Sequence, residues 1–131
     1  MKLLLDTHIW LWSMLDRTQL ANNVAAALKS DKNELWLSPI TLWEVLVLAE
    51  KGRISLAVPP HEWITQALSA TPIQEAPLTS DVALETARFQ LPHRDPADRF
   101  LVATARVFGL TLVTADHQLI MAKASPTLAN R

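Results

Sequence analysis

The sequence lacks cysteine altogether and has only two glycines among its 131 residues. The absence of cysteine excludes disulfide bonds, thiolate zinc sites and a cysteine nucleophile, and it favours a reducing compartment. The two glycines, Gly52 and Gly109, cannot form a glycine-rich phosphate-binding loop. Chemistry driven by nucleotide hydrolysis is therefore not expected.

Long hydrophobic runs are also missing. No apolar run is longer than that at residues 45–49, which is far shorter than the roughly 20 residues that a membrane-spanning helix needs. The amino-terminal run ends at Asp6, before it reaches the roughly 7–15 apolar residues of a secretory signal. We therefore expect no membrane span, no signal peptide and a cytoplasmic location.

An excess of one charge sign is absent as well. The 12 Lys and Arg residues nearly balance the 13 Asp and Glu residues, so the formal net charge is −1. The overall charge gives no attraction to nucleic acid. Binding of RNA or DNA must therefore come from local arginines or from a bound cation.

Half of the sequence is apolar: 50% of its residues are hydrophobic and 19% are charged. This composition excludes a disordered chain. No repeat, linker or low-complexity segment divides the sequence, so we predict one domain over residues 1–131.

Short apolar segments without polar alternation alternate with segments of helical periodicity. The pattern predicts strands at residues 2–5, 34–37, 72–76, 110–114 and 127–129. It predicts helices at residues 8–15, 18–30, 40–51, 60–70, 80–90 and 96–108. This order is typical of the α/β class, with a small, mostly parallel sheet flanked by helices on both faces.

Two aspartates come directly after predicted buried strands. Asp6 follows the first strand, and Asp116 follows the strand at residues 110–114. In parallel α/β sheets, ligand sites gather outside the carboxyl ends of the strands, so these side chains are candidates to meet there. The alternative is that each aspartate only caps a helix or a turn.

Glu44 is the only charged residue in residues 40–49. A carboxylate that points inward from this segment needs a partner or a cation, because burial of an unpaired charge is strongly unfavourable. The alternative is a narrow solvent-exposed face that Glu44 shares with Thr41 and Lys51.

Asp98 lies on the same helical stripe as apolar residues of the helix at residues 96–108, so it points inward at that helix's first turn. The alternative is an exposed acid stabilised by the helix dipole, which contributes about 0.3–1 kcal/mol. Asp95, directly before Pro96, is interpreted as the helix N-cap. Arg99 occupies a different face.

Four carboxylates gathered in one cleft, with no lysine among them, would repel one another unless a divalent cation neutralised them. Oxygen ligands favour Mg²⁺ or Mn²⁺ over zinc, and such ions suit the hydrolysis of phosphodiesters by an activated water. Among the histidines there is no zinc-like spacing. His8 and His117 follow Asp6 and Asp116 closely, so supporting or substrate-contacting roles stay open for them.

Four segments in this order resemble the PIN-domain proteins of the VapC toxin group. They are residues 3–8 (Leu-Leu-Leu-Asp-Thr-His), 38–44 (Ser-Pro-Ile-Thr-Leu-Trp-Glu), 94–99 (Arg-Asp-Pro-Ala-Asp-Arg) and 112–116 (Leu-Val-Thr-Ala-Asp). The resemblance covers nearly the whole chain, with a poor match near residues 125–127. It implies a PIN-like three-layer fold.

The resemblance further implies a metal-dependent endoribonuclease. Its acidic catalytic and metal-ligating residues match Asp6, Glu44, Asp98 and Asp116, with Thr114 as a supporting polar contact. It also implies a homodimer and inhibition by a cognate antitoxin. Asp95 is shared with one branch of the group, so the resemblance leaves an outer or alternative ligand role open for it.

Several further roles follow from residue type and position. Arg94 and Arg99 are candidates to bind substrate phosphate, with solvated salt bridges as the alternative. Trp36 and Trp43 are interpreted as core residues. Tryptophans 10 and 12 cannot share one helix face, so packing and a partner contact both remain open.

Two partner surfaces are also expected. The apolar helix at residues 40–49 is a candidate dimer interface. An amphipathic antitoxin helix is expected near Trp10, Trp12 and residues 59–68, with an Arg or Lys directed at Asp6, Glu44 and Asp98 in place of the metal.

The rival interpretations are a phosphate-handling domain with an aspartate phosphoacceptor, and a receiver-like binding module with a structural metal. A receiver pairs acids after its first strand and has a lysine after a later strand. Here Asp6 stands alone and no lysine follows residues 110–114 before Lys123, which favours the nuclease.

Overall fold

A computed structural model describes residues 1–92 and 94–131 as a five-stranded sheet between two helical layers. Every pair of neighbouring strands is parallel, in the order β3-β2-β1-β4-β5. The strands are β1 (Lys2–Leu5), β2 (Glu34–Leu37), β3 (Gln74–Glu75), β4 (Thr111–Thr114) and β5 (Thr127–Ala129). The predicted fold class is confirmed.

Seven helices cover the sheet in the described part of the chain. They are α1 (Thr7–Leu15), α2 (Asn22–Lys29), α3 (Pro39–Glu50), α4 (Pro60–Ala70), α5 (Ser80–Glu85), α6 (Pro96–Phe108) and α7 (His117–Ala122). None of the helices in the described ranges is long and apolar enough to cross a membrane.

The central strand β1 builds the core on both faces of the sheet. Leu3 and Leu5 pack in one cluster with buried residues of α1 to α4, whereas Leu4 packs in the other with residues of α5 to α7. Because successive side chains of a strand point to opposite faces, burial on both sides requires the unalternated apolar segment seen in the sequence. This burial fixes where β1 ends and therefore where Asp6 lies.

The strand order reverses between β1 and β4. From β1 the chain adds β2 and β3 on one side, then returns to add β4 and β5 on the other. In open parallel sheets this reversal leaves a crevice at the carboxyl ends of the two strands, where ligands bind. Asp6 and Asp116 follow the two strands that border the crevice.

The predicted helix at residues 18–30 begins too early. Residues Arg17–Gln19 form a 3₁₀ turn, and α2 begins only at Asn22. The Asn130 side chain accepts a hydrogen bond from the backbone N–H of Ala21 at 2.6 Å, which fixes the chain just before α2. That contact joins residues 109 positions apart, so no local pattern predicts it.

The other differences are at element ends. The helix predicted at residues 80–90 ends at Glu85, and the strand predicted at residues 72–76 is reduced to two residues. Helix α7 was not predicted; it is capped by Asp116 and is too short to show helical periodicity. Helix α6 ends as predicted, with Gly109 in a left-handed conformation at φ 65°.

The tryptophans separate into buried and exposed ones. Trp10 is buried and meets Trp63 edge to face, and Trp36 stacks on Phe108. Trp43 is 55% exposed, so its prediction as a core residue is wrong. An almost uniformly apolar helix gives no periodicity from which its outward face can be identified.

Candidate metal centre

A pocket of roughly 390 Å³ lies at the carboxyl ends of β1 and β4. Its lining includes all four carboxylates singled out in the sequence, together with Asp95. The lining residues are Asp6, His8, Trp12, Glu44, Asp95, Asp98, Ala115 and Asp116. Segments far apart in sequence therefore contribute acidic side chains to one cavity.

Asp6 and Asp116 also cap the helices that follow them. Asp6 Oδ1 accepts the backbone N–H of Thr7 at 2.6 Å, and Asp116 Oδ1 accepts that of Gln118 at 2.8 Å. The capping interpretation and the pocket interpretation are thus both correct. Capping holds each carboxylate in one orientation at the pocket wall.

Two buried hydroxyls hold the pocket carboxylates. Thr7 Oγ1 donates to Glu44 Oε1 at 2.5 Å, and Thr114 Oγ1 donates to Asp6 Oδ2 at 2.7 Å. Thr114 Oγ1 in turn accepts the backbone N–H of Asp116 at 3.0 Å. The Thr114 hydroxyl therefore connects the acids that follow β1 and β4.

Thr7 is the residue that the sequence analysis missed. Its backbone N–H contacts Asp6 and its hydroxyl contacts Glu44, so one buried residue orients two of the four carboxylates. Glu44 consequently lies at the pocket and not on a purely solvent-exposed face. Residue type gives no signal for this role, because it depends on the packing of α1 against α3.

Repulsion and burial change the protonation of the pocket. Desolvation by burial, together with the nearby carboxylates of Asp6, Asp95, Asp116 and Glu44, raises the pKa of Asp98 to about 8. Burial also raises the pKa of Asp6 and of Glu44, against the hydroxyl donors that lower it. In the metal-free pocket the protonated form of Asp98 is therefore favoured near neutral pH.

This donor set fits a hard divalent cation. Carboxylate oxygens are the usual ligands of Mg²⁺ and Mn²⁺, and charge neutralisation would remove the repulsion. In the ranges 1–92 and 94–131, no three His, Cys, Asp or Glu side chains stand in a ready-made ligand cage. Mg²⁺ keeps several waters when protein carboxylates bind it, so the protein supplies only some of its ligands.

The two candidate phosphate-binding arginines differ in their surroundings. The Arg99 guanidinium donates to the backbone carbonyls of Thr86 and Phe89 at 2.7 and 3.2 Å and lies over the Phe89 ring. It holds the segment between α5 and α6 and is not among the residues that line the pocket, so its phosphate contact stays a prediction. Arg94 is exposed beside Asp95 and does not line the pocket either.

The histidines are also distinguished by position. His8 lines the pocket, whereas His117 lines a separate groove with Leu91 and Met121. Asp95 accepts the backbone N–H of Ala97 at 2.9 Å as the predicted N-cap and lines the pocket as well. His93 lies outside the described residues.

The sequence profile of the PIN domain matches residues 3–124, so the chain belongs to the PIN domain family. It is 34% identical over 119 residues to Ribonuclease VapC22 of Mycobacterium tuberculosis, and the match covers 88% of each chain.

Solved structures show the same fold. A chain of VapBC2 from Rickettsia felis, bound to a promoter DNA fragment, has a TM-score of 0.72 and 15% identity, with 98% of each chain covered. A chain of DNA-bound VapBC from Salmonella typhimurium has a TM-score of 0.69 and 19% identity, with 100% of this chain and 99% of that chain covered.

Replacement of Thr7 by valine should lower the affinity for Mn²⁺ by roughly 10- to 100-fold, because Glu44 loses its orienting donor. Thr7→Ser should retain most of the affinity. Isothermal titration with Mn²⁺ measures both. Thr104→Val is the matched control, since Thr104 is equally buried but donates to a carbonyl of its own helix. Equal affinities of Thr7→Val and Thr104→Val would contradict this role.

Stability of the metal-free protein should fall as the pH rises. Folding raises the pKa of Asp98 from 3.8 to about 8, so its stabilising contribution is complete below about pH 4 and lost through about pH 8. Urea unfolding in excess chelator should show a lower midpoint near pH 8 than near pH 5. Asp98→Asn should flatten this decline, and the exposed control Asp31→Asn should follow the wild type. An unchanged decline in Asp98→Asn would contradict the assignment.

Proposed function

We propose that the chain is a metal-dependent endoribonuclease and the toxin of a toxin–antitoxin pair, acting on RNA in the cytoplasm. The observation that supports this most strongly is the convergence of Asp6, Glu44, Asp98 and Asp116 on one pocket at the reversal point of the sheet. The 34% identity to a ribonuclease over 88% of the chain supports the choice of RNA.

The four carboxylates are the proposed ligands of Mg²⁺ or Mn²⁺. When bound, the cation supplies Lewis-acid stabilisation of a reacting phosphodiester and makes a water acidic enough to attack near neutral pH. A bound cation would favour the ionised form of Asp98, because its positive charge offsets the burial and the neighbouring carboxylates that raise the pKa of this group.

The hydroxyl groups have a different task. Thr114 and Thr7 hold Asp6 and Glu44 by donating hydrogen bonds to one oxygen of each carboxylate. This leaves the orientation of the ligands fixed before substrate arrives, so the pocket does not reorganise during the reaction.

Asp6→Asn should reduce RNA cleavage by at least roughly 100-fold, because it removes the charge of a proposed metal ligand. Loss of a residue that only orients such a ligand already costs about 10- to 100-fold. The substrate is a pool of structured RNA, incubated with purified protein and Mn²⁺, and product is measured by gel electrophoresis. Excess chelator should abolish wild-type cleavage, and Asp31→Asn should leave it unchanged. Equal cleavage by Asp6→Asn and the wild type would contradict the proposed function.

A cognate antitoxin is the proposed protein partner. VapBC complexes are among the chains that share this fold, and an acidic pocket attracts a cationic side chain. A segment that directs an Arg or Lys at Asp6, Glu44 and Asp98 would compete with the cation. Its expected apolar contact cannot include Trp10, which is buried against Trp63.

A homodimer is proposed through the outward face of α3. Trp43 and Leu46 are 55% and 41% exposed one turn apart on this helix, which makes them a contiguous apolar patch. Burial of such a patch is a strong reason for association, since tryptophans dominate the binding energy of many interfaces.

Light scattering at tens of micromolar should give twice the 14.6 kDa mass of the chain. Trp43→Ala should shift the mass towards the monomer, because it removes the largest side chain of the patch. Leu84→Ala is the control, as Leu84 is 72% exposed on α5. A monomeric wild type, or equal masses for the two variants, would contradict the interface.

A further inference from the structure

The carboxylate pocket lacks an evident binding site for the phosphates of an RNA strand among its described lining residues. Phosphates are repelled by acids, and among the described residues neither Lys nor Arg lines the pocket. Arg99 is committed to the carbonyls of Thr86 and Phe89. A cation in the pocket would attract one phosphate, and contacts that do not depend on charge can add to that affinity.

The aromatic part of the pocket wall supplies such a contact. Apart from Ala115, the described lining residues that are not acidic are His8 and Trp12. They lie four residues apart on α1, on one side of the helix, and their ring centroids are 5.8 Å apart with an interplanar angle of 51°.

Helix α1 uses its two tryptophans differently. Trp10 is 3% exposed and completes the core against Trp63. Trp12 is only partly buried: it packs against the same core and also borders the acidic cavity. The core contact limits the mobility of the Trp12 ring. The side chain therefore loses little conformational entropy when a ligand binds to it.

We propose that His8 and Trp12 form a base-stacking subsite, which holds a nucleobase of single-stranded RNA next to the phosphodiester at the carboxylates. The inference rests on the proposed function and adds a binding determinant to it. Stacking on an aromatic ring contributes about 1–3 kcal/mol per base and tolerates every base, since each has a π face. The subsite therefore provides affinity with little sequence preference.

The test measures RNA binding without cleavage, in the Asp98→Asn background. The probe is a fluorescein-labelled single-stranded RNA of about 12 nucleotides and mixed sequence, and the reference is an abasic ribose-phosphate strand of the same length. Trp12→Leu keeps a smaller apolar side chain and removes the aromatic ring, whereas Trp12→Phe keeps a ring. Urea unfolding establishes that each variant is folded.

Trp12→Leu should weaken RNA binding by roughly 5- to 150-fold, the equivalent of one lost stacking contact. Trp12→Phe should restore most of the affinity, and His8→Ala should give a smaller loss. The abasic strand should bind the background and Trp12→Leu equally. RNA should quench tryptophan fluorescence in the background and do so much less in Trp12→Phe.

Three outcomes would overturn the subsite. Equal RNA affinities for the background and Trp12→Leu would do so, and so would an equal loss for the abasic strand, which would indicate a general structural effect. Unchanged RNA affinity with a lower mass in light scattering would assign Trp12 to contact with a second copy of the chain. Continued cleavage by the Asp98→Asn background would count against the proposed catalytic site and not against stacking.

Discussion

Repulsion among the carboxylates at the ends of β1 and β4 is the constraint on which the rest of the site depends. Five acidic side chains, including that of Asp95, line one cavity. Burial of Asp6 and Asp98 raises the free energy of their ionised forms. A fold designed only for stability would not gather these charges. Their convergence supports the proposal that the site binds a cation.

The core provides the rigidity that this arrangement requires. Side chains of β1 are buried on both faces of the sheet, so neither β1 nor Asp6 can shift without disrupting a hydrophobic cluster. Helices α3 and α6 pack on this framework and bring Glu44 and Asp98 to the cavity. The buried hydroxyls of Thr7 and Thr114 then fix the carboxylate orientations.

Sequence reasoning succeeded where the determinant was local. Strands β1, β2 and β5 have the predicted bounds, because their lengths follow from short apolar segments. The strand-end aspartates could likewise be predicted to meet, since parallel strands end at one edge of a sheet.

The rest depended on contacts between distant residues. The orientation of Glu44 is set by Thr7, 37 residues away, and the use of Arg99 is set by carbonyls of a preceding segment. The exposed side of α3, with Trp43, is decided by what packs on the other side. Neither periodicity nor residue type carries that information.

The central claim is that these carboxylates bind a divalent cation. Anomalous diffraction from crystals grown with Mn²⁺ tests it most directly, because the signal locates the ion independently of any activity. The account predicts a peak within the pocket, in contact with oxygens of Asp6, Glu44, Asp98 or Asp116. A fully occupied ion elsewhere on the protein, with this pocket empty at saturating Mn²⁺, would contradict it.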